Sequence, residues 1–195
     1  MLMRWGYTAD TSQLATKLIC RVTGGEYAHV FAVFYGEDCG RPIYFESISK
    51  RDPSTNKTGV RGPLLLDNVR DWRDRKPSTR RFWIQPEYGY LPFDDAECDA
   101  AYKTLAGAVH TITYAPTQIV RNWLRQRISL NFFWGIGSDR DWTCSETCAR
   151  ITPPRLQHYF DLGRYNFDDI TPSGPRLMSV ERATAAMIAD CGVRA

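Results

Sequence analysis

The chain has 195 residues, 43% of them hydrophobic and 24% charged, with a net charge of +3. That balance fits one globular domain, 1–195, with a real core, and so small a positive charge gives no footing for a nucleic-acid partner. No apolar run approaches the roughly 20 residues of a membrane-spanning helix.

The opening Met1-Leu2-Met3-Arg4-Trp5-Gly6 lacks the apolar core of a secretory signal. A cytoplasmic protein is therefore the default expectation, with phage-encoded origin or export by another route left open. The six cysteines (20, 39, 98, 144, 148 and 191) are then expected as reduced thiols. There is no Cys-x-x-Cys pair and the three histidines are scattered, so neither a metal nor another cofactor is expected.

In chain order, Leu14, Leu18, Ile19 and Val22 fall at helical spacing within Thr11 to Val22, with Asp10 or Thr11 as cap and Gly24-Gly25 as stop. His29-Val30-Phe31-Ala32-Val33-Phe34-Tyr35 is rich in β-formers on both alternating faces, as a buried strand is. After the turn Gly36 to Cys39, Ile43 to Ile48 forms the second arm of a hairpin. Gly59 to Leu66 and Arg81 to Gln85 read as further strands, and Arg70 to Arg81 as a solvated charged face.

Asp94 to His110 has helical periodicity, with Cys98, Ala101, Leu105 and Val109 on one stripe. Gln118 to Ile128 is a weaker helical pattern and Leu130 to Asp141 a loop. Arg155 to Phe160 and Met178 to Asp190 suggest two more helical segments. Helices with an antiparallel sheet make an α+β domain.

Thr143-Cys144-Ser145-Glu146 carries the chemistry. Threonine followed three residues later by glutamate is a capping box, in which each side chain takes the other residue's backbone N–H. The helix it starts must end before Pro153-Pro154. Cys144 then occupies the first helical position, where unpaired N–H groups and the helix dipole favour a thiolate. An ordinary small residue fits that position equally, so the reading turns on a histidine partner.

His110 closes a helix and His158 sits among packing residues, whereas His29 begins a buried strand just after Gly24-Gly25. If Gly36 to Cys39 is a four-residue turn, Tyr35 faces Gly40, Phe31 faces Tyr44 and His29 faces Glu46. Opposed side chains lie about 5 Å apart at Cβ, within reach of a carboxylate–imidazole bond. Glu46 is also the only charge between Ile43 and Ile48, and a charge in an apolar strand needs a partner. Arg81 is an alternative partner, in which case Glu46 is structural.

Tyr27-Ala28-His29-Val30-Phe31-Ala32-Val33-Phe34, Tyr44-Phe45-Glu46-Ser47-Ile48, Gly59-Val60 and Thr143-Cys144-Ser145-Glu146, in that order, resemble the circularly permuted NlpC-type papain-like cysteine hydrolases. That branch is typified by bacterial YiiX-like proteins and is related to lecithin:retinol acyltransferase. The resemblance runs from the helix before His29 to Ile170-Thr171-Pro172. It departs from the family at Ala28, where serine commonly precedes the histidine, and at Thr147, where an apolar residue commonly follows.

The resemblance implies a permuted papain-like fold and a cysteine peptidase or amidase. Cys144 is the expected nucleophile, His29 the base and Glu46 the group that orients it. The backbone N–H of Cys144 is the expected oxyanion donor, with Tyr27 and Ser145 as further oxyanion or substrate candidates. The implied substrate is a peptide or cell-wall peptide amide, or a lipid-like acyl group. Alternatives are a vestigial papain-like binding module, for instance in a phage particle, a lipid acyl hydrolase or transferase, and a redox protein using Cys144 and Cys148, one helical turn apart.

Overall fold

The computed structural model describes residues 1–8, 14–36, 41–49, 51, 56–65, 83–84, 89–114, 140–162, 170–174 and 178–194. Among these residues, five strands form one antiparallel sheet: β1 (Leu2–Thr8), β2 (His29–Tyr35), β3 (Ile43–Ile48), β4 (Gly59–Leu65) and β5 (Trp83–Ile84), in the spatial order β4-β3-β2-β1-β5. Four α-helices accompany them among the described residues: α1 (Leu14–Thr23), α2 (Asp95–Ala108), α3 (Cys144–Ile151) and α4 (Val180–Cys191). A 3-10 segment covers Pro154–Phe160. The molecule is α+β, as its patterning indicates.

Alternation along β2 divides the two faces of the sheet. Val30, Ala32 and Phe34 join Met3, Trp5 and Tyr7 of β1 in the main core, where α2 adds Cys98, Ala101 and Leu105, α3 adds Cys144, Cys148 and Ala149, and α4 adds Val180, Ala183 and Met187. Phe31 and Val33 point the other way and cluster with Tyr35 and Tyr44. A strand buried on both faces reads as a continuous apolar run, which is why β2 carries no polar residue after His29.

The hairpin register differs from expectation. Ala32 pairs with Phe45, Val33 with Tyr44 and Phe34 with Ile43, two residues away from the register of a four-residue turn. With β2 ending at Tyr35 and β3 beginning at Ile43, this register does not fit the assumed four-residue turn. Because the displacement is even, every side chain keeps its face. Phe31 no longer opposes Tyr44 but still packs against it, ring centres 5.4 Å apart.

Two other expectations change. Helix α1 lies at the surface, with Leu18 49% exposed and Cys20 only half-buried, although helical spacing with Leu14, Ile19 and Val22 suggests that Leu18 belongs to a buried stripe. Strand β1 was not foreseen, despite Met3, Trp5 and Tyr7 at period two. The cap Asp10 or Thr11, the turn Glu37 to Gly40, the stretch Arg70 to Arg81, the helical pattern Gln118 to Ile128 and all but the end of the loop before Asp141 lie outside the described residues.

Three ties hold the cysteine helix against the sheet. The Ser47 hydroxyl donates to the Trp142 carbonyl at 2.7 Å, two residues before Cys144. The Val60 N–H bonds the Ile112 carbonyl, and the next residue, Thr113, accepts the Trp142 N–H through its own carbonyl at 2.9 Å. The third tie is at the far side of α3. The Ser145 hydroxyl donates to the Ile170 carbonyl at 2.6 Å. A few residues on, the Ser173 hydroxyl accepts the Tyr27 N–H at 2.9 Å and donates to the Tyr27 carbonyl at 3.0 Å. The segment 170–174 therefore fixes both α3 and the loop that delivers His29.

Gly59 makes the second tie possible. Its φ is +111°, and an added Cβ would lie 2.0 Å from the Ile112 carbonyl oxygen. Gly59→Ala is expected to cost about 2 kcal/mol or more, from backbone strain and the displaced contact. Urea unfolding checks this, and an unchanged midpoint would show that the approach of β4 to Ile112 contributes nothing to stability.

Candidate active site

The site begins with the cap of α3. Thr143 Oγ1 accepts the Glu146 N–H at 3.2 Å, and Glu146 Oε2 accepts the Thr143 N–H at 3.3 Å. Both arms of the expected capping box are present. Glu146 is fully buried and holds its second oxygen on Arg150 Nε at 2.8 Å, one turn along the helix. Cys144 is thereby set as the first residue of α3, 5% exposed.

The paired ladder between β2 and β3 covers only Ala32–Phe34 opposite Ile43–Phe45. Beyond it, the backbone N–H groups of Val30 and, at the helix start, of Ser145 lower the pKa of the Cys144 thiol. Burial alone would raise the thiol pKa. The His29 charge, a hydrogen bond from its ring and the two backbone donors outweigh that and hold it below the ordinary value.

His29 reaches Glu46 diagonally across the hairpin, Nε2 to Oε2, at 2.7 Å. The even displacement of the register turned an opposed pair into a diagonal one on the same face, which still permits contact. With Nε2 on the carboxylate, Nδ1 is the ring nitrogen left for the sulfur. Burial opposes the imidazolium. The Cys144 thiolate and the Glu46 carboxylate overcome that and raise the His29 pKa from 6.5 to about 10. Its side chain keeps 20% of its surface open to solvent.

Glu46 is 5% exposed at its side chain and has a second partner, Arg61 of β4, whose Nε donates to Oε1 at 2.9 Å. The terminal Arg61 nitrogen bonds the same oxygen. Burial pushes the carboxyl pKa up, but His29 and Arg61 bring it down to about 2. Arg81, the alternative partner considered above, lies outside the described residues. Arg61 escaped sequence reasoning, although a lone charge in each of two adjacent apolar strands was a usable signal.

Of the other candidates, Ser145 is 3% exposed and its hydroxyl is committed to Ile170, so it is through its backbone N–H that it lowers the Cys144 pKa. Tyr27 is tied through its backbone to Ser173, and its ring packs on Tyr7 with centres 5.0 Å apart. Tyr114 was not anticipated. Burial raises the pKa of its phenol, and so does the Cys144 charge. His110 lies past the end of α2 with φ of 64°, and the His158 ring packs tilted against that of Tyr159 in the 3-10 segment.

The other described thiols lack these donors. Burial raises the pKa of Cys20 and of Cys98, and burial together with the Cys144 charge raises that of Cys148 well above the usual range. Among the described residues, no three His, Cys, Asp or Glu side chains come together in a way that could hold a metal ion, and no helix is long and apolar enough to cross a membrane. Comparison with protein-family models, with curated proteins and with solved structures returns no match for this chain.

These environments rank the thiols. Substoichiometric iodoacetamide near pH 6 is expected to alkylate Cys144 first, because the thiolate is the reacting form. His29→Ala should remove that preference, which peptide mapping reads directly. Modification of Cys191 or Cys98 ahead of Cys144 in the folded protein would mean that Cys144 is not activated.

Proposed function

We propose that this protein is a cysteine hydrolase of the peptidase or amidase type, with the permuted papain-like arrangement that its motif order resembles. The observation that carries the reading is a thiol at a capped helix start, its pKa lowered by an imidazole that a buried carboxylate holds at 2.7 Å. A nucleophile, a base and a group orienting the base are the parts that covalent acyl transfer needs.

In this reading, the Cys144 thiolate attacks the carbonyl carbon and forms a C–S bond. The carbonyl electrons move to oxygen, where helix-start N–H groups, that of Cys144 first, stabilise the charge. Collapse of that intermediate breaks the C–N bond, and His29 gives its proton to the departing amine. The neutral imidazole then takes a proton from water as the hydroxide attacks the thioester. The acid leaves, and the thiolate–imidazolium pair is restored. Glu46 keeps the ring in place and favours its protonated form throughout.

An amide is the favoured substrate class because its leaving amine needs a proton that a raised-pKa imidazolium supplies. That proton donor sets the alkaline limit. Turnover should fall as pH rises through about 10, where His29 loses its proton. It should also fall on the acid side as the Cys144 thiolate is protonated.

The test is turnover of a panel of peptide amides and acyl esters by wild-type protein and variants. Cys144→Ala and His29→Ala should each lower the rate on the order of a thousandfold or more, whereas Glu46→Gln should cost roughly 10- to 100-fold. His110→Ala and His158→Ala should leave turnover largely unchanged. Full turnover by His29→Ala, or loss of turnover in His110→Ala or His158→Ala instead, would remove the proposed base.

A further inference from the structure

The pairing of β3 with the edge strand β4 contains an irregularity that bears on Glu46. Tyr44 of β3 pairs with Leu64 of β4, yet Glu46 pairs with Arg61, so β4 spends three residues where β3 spends two. This is a β-bulge. Without the extra residue, Glu46 would oppose Gly62, and Arg61 would point to the other face of the sheet. The bulge contains Gly62, whose φ of +138° suits glycine, and an added Cβ there would meet the Phe45 ring at 2.6 Å and the Tyr44 carbonyl at 2.8 Å. Glycine here permits the bulge, and the bulge turns Arg61 onto Glu46.

Both guanidinium contacts go to Glu46 Oε1, and His29 takes Oε2. Arg61 thus occupies one carboxylate oxygen and leaves the other for the imidazole. The described groups that face this carboxylate are His29 from β2 and Arg61 from β4, with Cys144 beyond the histidine. The charges alternate along the line Arg61, Glu46, His29, Cys144.

We propose that Arg61 is a positioning residue of the catalytic centre, clamping Glu46 so that an ionised carboxylate is always presented to His29. The inference rests on the cysteine-hydrolase reading. Arg61 touches neither substrate nor sulfur in this scheme and acts through Glu46. Its loss lets Glu46 take up a proton in mildly acidic solution, and a neutral carboxyl no longer favours the imidazolium. Cys144 then holds its proton to higher pH.

The test is the rate of Cys144 alkylation by iodoacetamide across about pH 5 to 8, in wild-type protein, Arg61→Met, Arg61→Lys and the pair Glu46→Gln and Glu46→Gln/Arg61→Met. Arg61→Met should react roughly tenfold more slowly than wild type near pH 5 and within about twofold of it near pH 8. Arg61→Lys, which keeps the charge, should recover most of the acid-side rate. In the Glu46→Gln background, Arg61→Met should change the profile no further.

A profile for Arg61→Met that superimposes on wild type, or one lowered equally at every pH, would overturn the positioning role and leave the hydrolase reading standing. Wild-type Cys144 that reacts no faster than Cys98 would remove both. A readout on the unmodified protein covers the case in which Arg61→Met does not fold. The Glu46 carboxyl carbon, followed by NMR, should remain that of a carboxylate at pH 4, and a midpoint in the ordinary glutamate range near 4.3 would overturn the clamp.

Discussion

The arrangement depends on keeping Glu46 ionised where little water reaches it. A carboxylate removed from water is costly unless charged donors replace its hydration. Here, two cations from neighbouring strands do so, one on each oxygen. The imidazolium that results can in turn hold a thiolate, itself buried and also supported by two backbone N–H groups. Each charge in the series is tolerable only because of the next. Removing any inner member leaves a neighbour unbalanced, so the four residues act as one unit and their contributions are not additive.

The scaffold's contribution is to bring two separately built parts into contact. The hairpin β2–β3 delivers His29 and Glu46, and α3 delivers Cys144, nearly a hundred residues later in the chain. Small polar contacts register one on the other: Ser47 on Trp142, and the pair Ser145–Ile170 and Ser173–Tyr27 on either side of the site. Each is a modest bond of about 1 kcal/mol net. Their value is positional, because a displacement of about 1 Å is enough to spoil a nucleophile–base pair.

Much of this was legible in the sequence. The capping box fixed Cys144 as the first residue of its helix, because Thr143 and Glu146 are local partners three residues apart. The bounds of β2 and β3 followed from apolar runs ended by turn residues. The His29–Glu46 contact was anticipated from a register that proved wrong by two. It survived because a strand's side chains repeat every two residues, and an even slip preserves the face.

What was missed has a common physical origin. Arg61 faces Glu46 only because of a bulge at Gly62, and a bulge inverts faces in a way that periodicity cannot show. Tyr114 feels the Cys144 charge, and its neighbour Thr113 is held by long-range ties, Thr113 to Arg140 and Trp142 to Thr113, that no local pattern encodes. Strand β1 was overlooked although Met3, Trp5 and Tyr7 alternate with Arg4 and Gly6, a pattern that was readable. The buried face expected of α1 failed because an apolar stripe reports only a capacity for burial. The central claim is that Cys144 is a thiolate at a pH where ordinary thiols are protonated. Its most direct measurement is the ultraviolet absorbance of the thiolate as a function of pH, taken as the difference between wild-type protein and Cys144→Ala. The account predicts a midpoint well below the ordinary thiol value of about 8.5. A midpoint at or above that value would contradict it.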